Sequence, residues 1–249
     1  MKKLILSLVL ISTILASTII IYNNQASKKI ANTKTQIGKT KKKPSVSKKQ
    51  KAKIVKRQNI LIVNKQSKLS GNYVPQNLRV PNVKFISYAA PNVRQMEGEA
   101  ATALENMFNA ASKDGFTLLA VSGYRDYNYQ QKLYTEKVKR DGKAEADKYV
   151  AEPGTSEHQT GLAMDLLSTE YTSLDDGFVN TKSYKWLQQN CGKYGFIIRY
   201  PKDKENITKY NFEPWHVRFV GLPASNTIMT KNITLEEYLN EQNNSDLEH

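Results

Sequence analysis

Only one cysteine, Cys191, occurs in the 249 residues. A lone thiol excludes an intrachain disulfide framework and the cysteine-built zinc sites of finger or ribbon type. A buried structural role is expected for it. Histidine is nearly as scarce, with His158, His216 and His249 alone. The last falls in residues 244–249, which read as a tail or cloning scar outside the fold. Acid is missing altogether before Glu97, so all 23 Asp and Glu lie in residues 97–249. Residues 1–96 hold 20 of the 37 Lys and Arg, which leaves 17 against 23 acids in the remainder. The formal charge of +14 is therefore a front segment at +20 and a back segment at −6. The basic charge belongs to a tail, and no nucleic-acid surface is expected on the folded part.

That tail has two parts. Residues 1–22 open with Met1-Lys2-Lys3 and an apolar run from Leu4 to Ile21, broken only by Ser and Thr. They are expected to be a signal peptide or signal-anchor, placing the rest on the extracytoplasmic face of the membrane or in the cell wall. The lysines that follow oppose export by the positive-inside rule, although long domains translocate largely regardless of charge. Residues 23–58 carry 13 basic residues and no acid. Such a stretch cannot bury enough apolar surface to fold, and reads as a self-repelling basic linker. As a coil its 36 residues would span roughly 35 Å, and about 120 Å if drawn straight. It is either a plain spacer or a contact for a polyanionic wall polymer or anionic lipid.

Residues 59–243 read as one domain, expected to be monomeric. Ala100, Leu104, Met107, Phe108 and Ala111 recur at helical spacing across 94–113, and Gly115 stops that helix. Short apolar runs at 116–121, 161–167, 196–200 and 215–220 predict strands. Helices are expected over 126–140, with Asp126 as N-cap, and over 144–150, 183–194 and 235–239. Helices and strands mix without βαβ alternation, so the class is α+β: a small, mainly antiparallel sheet flanked by helices.

Both useful histidines sit beside carboxylates. His158 belongs to Ser156-Glu-His-Gln-Thr-Gly-Leu-Ala-Met-Asp165, and His216 to Glu213-Pro-Trp-His216. A third segment, Ser122-Gly-Tyr-Arg125, ends the predicted strand at 116–121. Each residue taken singly has a structural explanation; the set is harder to dismiss. His158, Asp165 and His216 would offer two neutral nitrogens and one carboxylate, leaving the fourth tetrahedral position of a zinc ion open. Parity constrains this. His158 and Asp165 are seven apart and would face opposite sides of one flat strand. They converge only if His158 lies on an incoming loop and Gly161 makes the bend. Glu213 and His216 also differ in parity, and Pro214 is expected to hold Glu213 just ahead of the strand.

These segments, with Tyr194-Gly-Phe-Ile-Ile-Arg-Tyr-Pro201, resemble the bacterial zinc D-alanyl-D-alanine carboxypeptidases, a group that includes D,D- and L,D-carboxypeptidases. The resemblance runs from about Leu61 to Gly221. It implies zinc on His158, Asp165 and His216, with Glu213 as general base moving a proton from water to the leaving amine. Arg125 would stabilise the oxyanion or clamp the substrate's terminal carboxylate. Ser122, Tyr124, Ser156 and Gln131 are the candidate substrate contacts. The implied activity is removal of the C-terminal D-alanine from peptidoglycan stem peptides, as a D,D-carboxypeptidase. An L,D-carboxypeptidase or a stem-peptide endopeptidase would use the same residues. A non-catalytic wall-binding module is the alternative of another class, disfavoured because binding needs no general base.

Overall fold

The computed structural model describes residues 60–247. The expected signal or anchor at 1–22 and the basic linker at 23–58 lie outside these residues. Among the described residues no helix is long and apolar enough to cross a membrane.

The sheet is assembled from four short antiparallel strands, β3 (Leu118–Ser122), β4 (Ala163–Ser168), β5 (Phe196–Tyr200) and β6 (Glu213–Phe219), in the order β3-β4-β6-β5. A separate two-stranded ribbon joins β1 (Leu78–Arg79) to β2 (Met96–Glu97). The α+β expectation, with a small antiparallel sheet, is met.

The helix α1 (Gly98–Lys113) begins after β2, where Glu97 caps it by accepting from the N–H groups of Glu99 and Ala100. Its buried stripe, Ala100, Ala101, Leu104, Met107, Phe108 and Ala111, packs into the main core with Leu118, Leu119, Ala120, Leu166, Leu167, Phe196 and Val217. The alternation of β5 splits the chain between two cores. Phe196 and Ile198 face the main one, and Ile197 joins Val220, Ala224, Ile228 and Leu235 in a second.

Helix α2 (Tyr127–Asp141) is capped by Asp126, whose Oδ1 accepts from Tyr129 N–H at 2.7 Å, and it stops at Gly142. Helices α3 (Lys143–Tyr149), α4 (Lys182–Asn190), α5 (Glu205–Thr208), α6 (Ala224–Lys231) and α7 (Leu235–Leu247) complete the chain. Several boundaries move: the helix expected from 94 starts at Gly98, after β2, and the strand expected from 215 begins at Glu213. The helix expected over 183–194 ends at Asn190, and Cys191–Tyr194 tightens into a 3-10 turn before Gly195. The last helix runs past 239 to Leu247, through the stretch read as a tail, because nothing in its polar sequence breaks it before that point. Cys191 is fully buried and its thiol is pushed up to about 12 by that burial, as suits a structural role.

Candidate metal and catalytic site

The strands bring the site together through direct pairing. Asp165 on β4 and His216 on β6 are register partners, so their side chains stand side by side on one face. His158 lies on the 3-10 turn Glu157–Thr160, and Gly161 reverses the chain with φ 70° before β4 starts. That is the bend parity demanded. The second parity problem is solved differently. Instead of preceding the strand, Glu213 begins it, and the register of β5 on β6 shifts between Ile198 and Tyr200, where Tyr200 pairs Glu213. The bulge absorbs the extra residues and returns Glu213 to the side of His216. A further bulge, on β3, sets Ser122 opposite Asp165.

His158 Nε2 lies 3.4 Å from Asp165 Oδ1, and His216 Nδ1 lies 3.5 Å from the same oxygen. Tetrahedral zinc with bonds near 2.0–2.1 Å separates its ligand atoms by about 3.3–3.4 Å, so the spacing fits. All three residues are buried, and His158 Nε2 and Asp165 Oδ1 have no hydrogen-bond partner. Buried polar atoms left bare in this way are an argument for an ion. The outer nitrogen of His158 is already occupied: Nδ1 lies 2.7 Å from the Gly123 carbonyl oxygen, so the proton sits there and Nε2 is free to ligate.

The electrostatics point the same way. Burial pushes His158 down to about 4, with Arg125 adding to the effect. Burial opposes charge on His216 too, but Glu157, Glu213 and Asp165 outweigh it and lift the ring to about 9. Burial also opposes the charge of Asp165, yet the two histidines hold its carboxyl down at about 2. His158 is thereby kept neutral and Asp165 ionised, the states in which an imidazole and a carboxylate ligate a metal. Glu213, whose Oε2 is 3.5 Å from His216 Nδ1, is pushed above the ordinary carboxylate range by burial. Glu157 is the opposite case: it is fully buried, yet Arg199 and Arg218 hold it well below that range.

These residues open onto a cavity of about 940 Å³, whose lining includes Arg125, Ser156, Tyr200, Tyr210, Trp215 and Glu213. Arg125 is pinned at its backbone by an N–H bond to the His158 carbonyl, and its Nε is buried and unpaired. Of the four expected substrate contacts, only Ser156 lines this cavity. Ser122 and Tyr124 do not line it. Gln131 faces solvent, whereas the buried Gln130 lines the cavity with its Oε1 unpartnered and its Nε2 bonded to the Ala151 carbonyl. One residue is a rotation of about 100° on a helix, so the two glutamines point apart. Gln130 and Glu157, which line the cavity with a buried unpartnered oxygen each, were not among the candidates legible in the sequence. A charge inside an otherwise apolar strand, Arg199 in Phe-Ile-Ile-Arg-Tyr, was the signal that a buried carboxylate had to be nearby.

The segment carrying Arg125 allows no room. Gly123 donates to the Val93 carbonyl and Tyr124 to that of Gln95, and a Cβ added at Gly123 would run into Gln95 O and stand 2.8 Å from Met164 Cε. Gly123→Ala is therefore expected to destabilise by about 1–3 kcal/mol and, because Gly123 O orients His158, to weaken zinc binding. Denaturant unfolding with and without zinc checks both.

The family described as "VanY: D-alanyl-D-alanine carboxypeptidase" matches residues 93–222, just over half the chain. A D-alanyl-D-alanine carboxypeptidase of Enterococcus faecalis is 43% identical over 148 residues, covering 55% of this chain and 53% of that protein. The LdcB LD-carboxypeptidase superposes with a TM-score of 0.69 at 49% identity, covering 72% of this chain and 84% of that one. A vancomycin-resistance D,D-pentapeptidase VanY, solved as a mutant in complex with Zn(II), gives 0.60 at 34% identity, covering 74% and 99%. The chain spans between 44% and 64% of the length of the first three curated relatives it matches.

Proposed function

The chain belongs to the VanY family of D-alanyl-D-alanine carboxypeptidases, and from that premise we propose that it is a zinc carboxypeptidase releasing the terminal D-alanine of peptidoglycan stem peptides. The observation that carries this reading is the trio His158, Asp165 and His216, buried with a nitrogen of each histidine 3.4–3.5 Å from Asp165 Oδ1, beside a buried carboxylate that is not part of the trio. Zinc held by the trio would supply Lewis acidity at the scissile carbonyl and lower the pKa of an attacking water.

The protein's own groups do the rest. Glu213 takes a proton from the water and passes it to the leaving amine, and its burial keeps that carboxylate basic enough for the transfer. Arg125, facing the cavity with a free Nε–H, either holds the terminal carboxylate or stabilises the oxyanion. Ser156 and Gln130 face the same cavity and offer further polar contacts. Residues 59–243 form the catalytic domain in this reading. Residues 1–22 would keep it at the extracytoplasmic face, and the basic segment 23–58 would hold it against a polyanionic wall polymer or anionic lipid.

The family and the enterococcal relative favour the D,D bond of a pentapeptide. The higher identity to the LdcB LD-carboxypeptidase favours a second reading, the L,D bond of a tetrapeptide. The test is product analysis by mass with zinc-loaded protein and both peptides. Loss of D-alanine from the pentapeptide alone supports D,D, and loss from the tetrapeptide alone supports L,D. Cleavage within the stem makes it an endopeptidase, and no product from any of them returns it to a wall-binding role.

A further inference from the structure

We infer that Glu157 is a positioning residue for His216: its Oε2 holds the Nε2–H of the imidazole, so that Nδ1 is the nitrogen presented to the metal. The inference rests on the zinc reading of the site and adds a role for a residue outside the ligand set. Glu157 Oε2 and His216 Nε2 are both buried, both lack any hydrogen-bond partner, and lie 3.4 Å apart. The other oxygen is anchored, with Oε1 receiving Arg199 Nε at 2.7 Å and Arg218 Nη1 at 2.6 Å from side chains fully shielded from water. Arg199 is held in turn by Glu236 on α7 through two bonds of 2.9 and 2.6 Å. The carboxylate thus has one oxygen committed to the arginines and one spare, aimed at His216.

An ionised carboxylate only accepts, so the ring nitrogen facing it must carry the proton. The two histidines then use opposite nitrogens, His158 tied at Nδ1 by a backbone carbonyl and His216 tied at Nε2 by Glu157. The competing explanation is that Glu157 merely neutralises two buried arginines. The two differ in what the metal feels, since outer partners of ligating histidines change metal affinity by about 10–100-fold when removed.

Glu157→Gln separates them, because an amide offers one acceptor where the arginines and His216 need two. In the full chain, competition with a chromophoric chelator is expected to show zinc binding weakened by about 10–100-fold. Glu236→Gln, which disturbs Arg199 without touching His216, is expected to lower the thermal midpoint of the metal-free protein and leave zinc affinity within about twofold. Zinc binding by Glu157→Gln within about twofold of the parent overturns the inference. Should that variant fail to fold, nitrogen-15 ring spectra of the unaltered zinc-loaded chain decide: Nε2 protonated on His216 supports it, and Nδ1 protonated overturns it. A parent chain that binds no zinc sinks the proposed function itself, whereas a parent that binds zinc with the other tautomer sinks only the role of Glu157.

Discussion

Glu213→Gln is expected to lower kcat by at least 10²–10⁴-fold while leaving zinc bound at one equivalent. The amide keeps the shape of the side chain but cannot accept a proton, and the three ligand atoms on His158, Asp165 and His216 are untouched. Turnover of the preferred peptide and zinc content measured on the same sample check this. Loss of zinc together with activity would make Glu213 a ligand, and retained turnover would remove it from the mechanism. The pH profile provides an independent reading. Burial raises Glu213, so its protonated, inactive form persists to a higher pH than for an ordinary carboxylate. With zinc saturating, kcat/KM is expected to rise with pH through that raised value, the base becoming available only above it. A limb that falls with rising pH in the same range would contradict the assignment.

Arg199→Met is expected to be the most damaging single change to stability, at about 3–5 kcal/mol. Arg199 is fully buried and serves two carboxylates, Glu157 through Nε and Glu236 through both terminal nitrogens. Its removal leaves Glu157 with Arg218 as its one arginine and strips Glu236 of both charged bonds, leaving it the longer contact from Asn64 Nδ2 at 3.2 Å. For a domain of this size that cost corresponds to a fall of about 6–20 °C in Tm. Thermal unfolding of the metal-free protein tests the claim without involving the site. A Tm within about 2 °C of the parent would mean that the network is relaxed or wet. The double change Arg199→Met with Glu236→Leu should recover part of the loss, since replacing a buried pair costs less than breaking one.

Much of the site was legible in the chain alone. Two histidines beside carboxylates in a chain with one cysteine restrict the metal chemistry to nitrogen and oxygen ligands, and ligand chemistry depends on residue type, which is local information. The bend at Gly161 could be deduced, because strand parity leaves His158 and Asp165 no other way to converge. Charge partition separated the basic front from the acidic remainder by counting alone.

Other features depended on pairing between distant segments. The bulges on β3 and β6, which set Ser122 opposite Asp165 and returned Glu213 to His216, are properties of register, and no single strand encodes its partner's offset. The choice between Gln130 and Gln131 turned on the phase of α2, fixed by the Asp126 cap and by where the helix meets the cavity. Glu157 reaches partners 42 and 61 residues away, and Glu236 reaches Arg199 from the final helix. Chain chemistry determined which atoms could hold and move charge. Only the tertiary structure decided which of them are buried together, because burial and register are set by contacts between segments far apart in sequence.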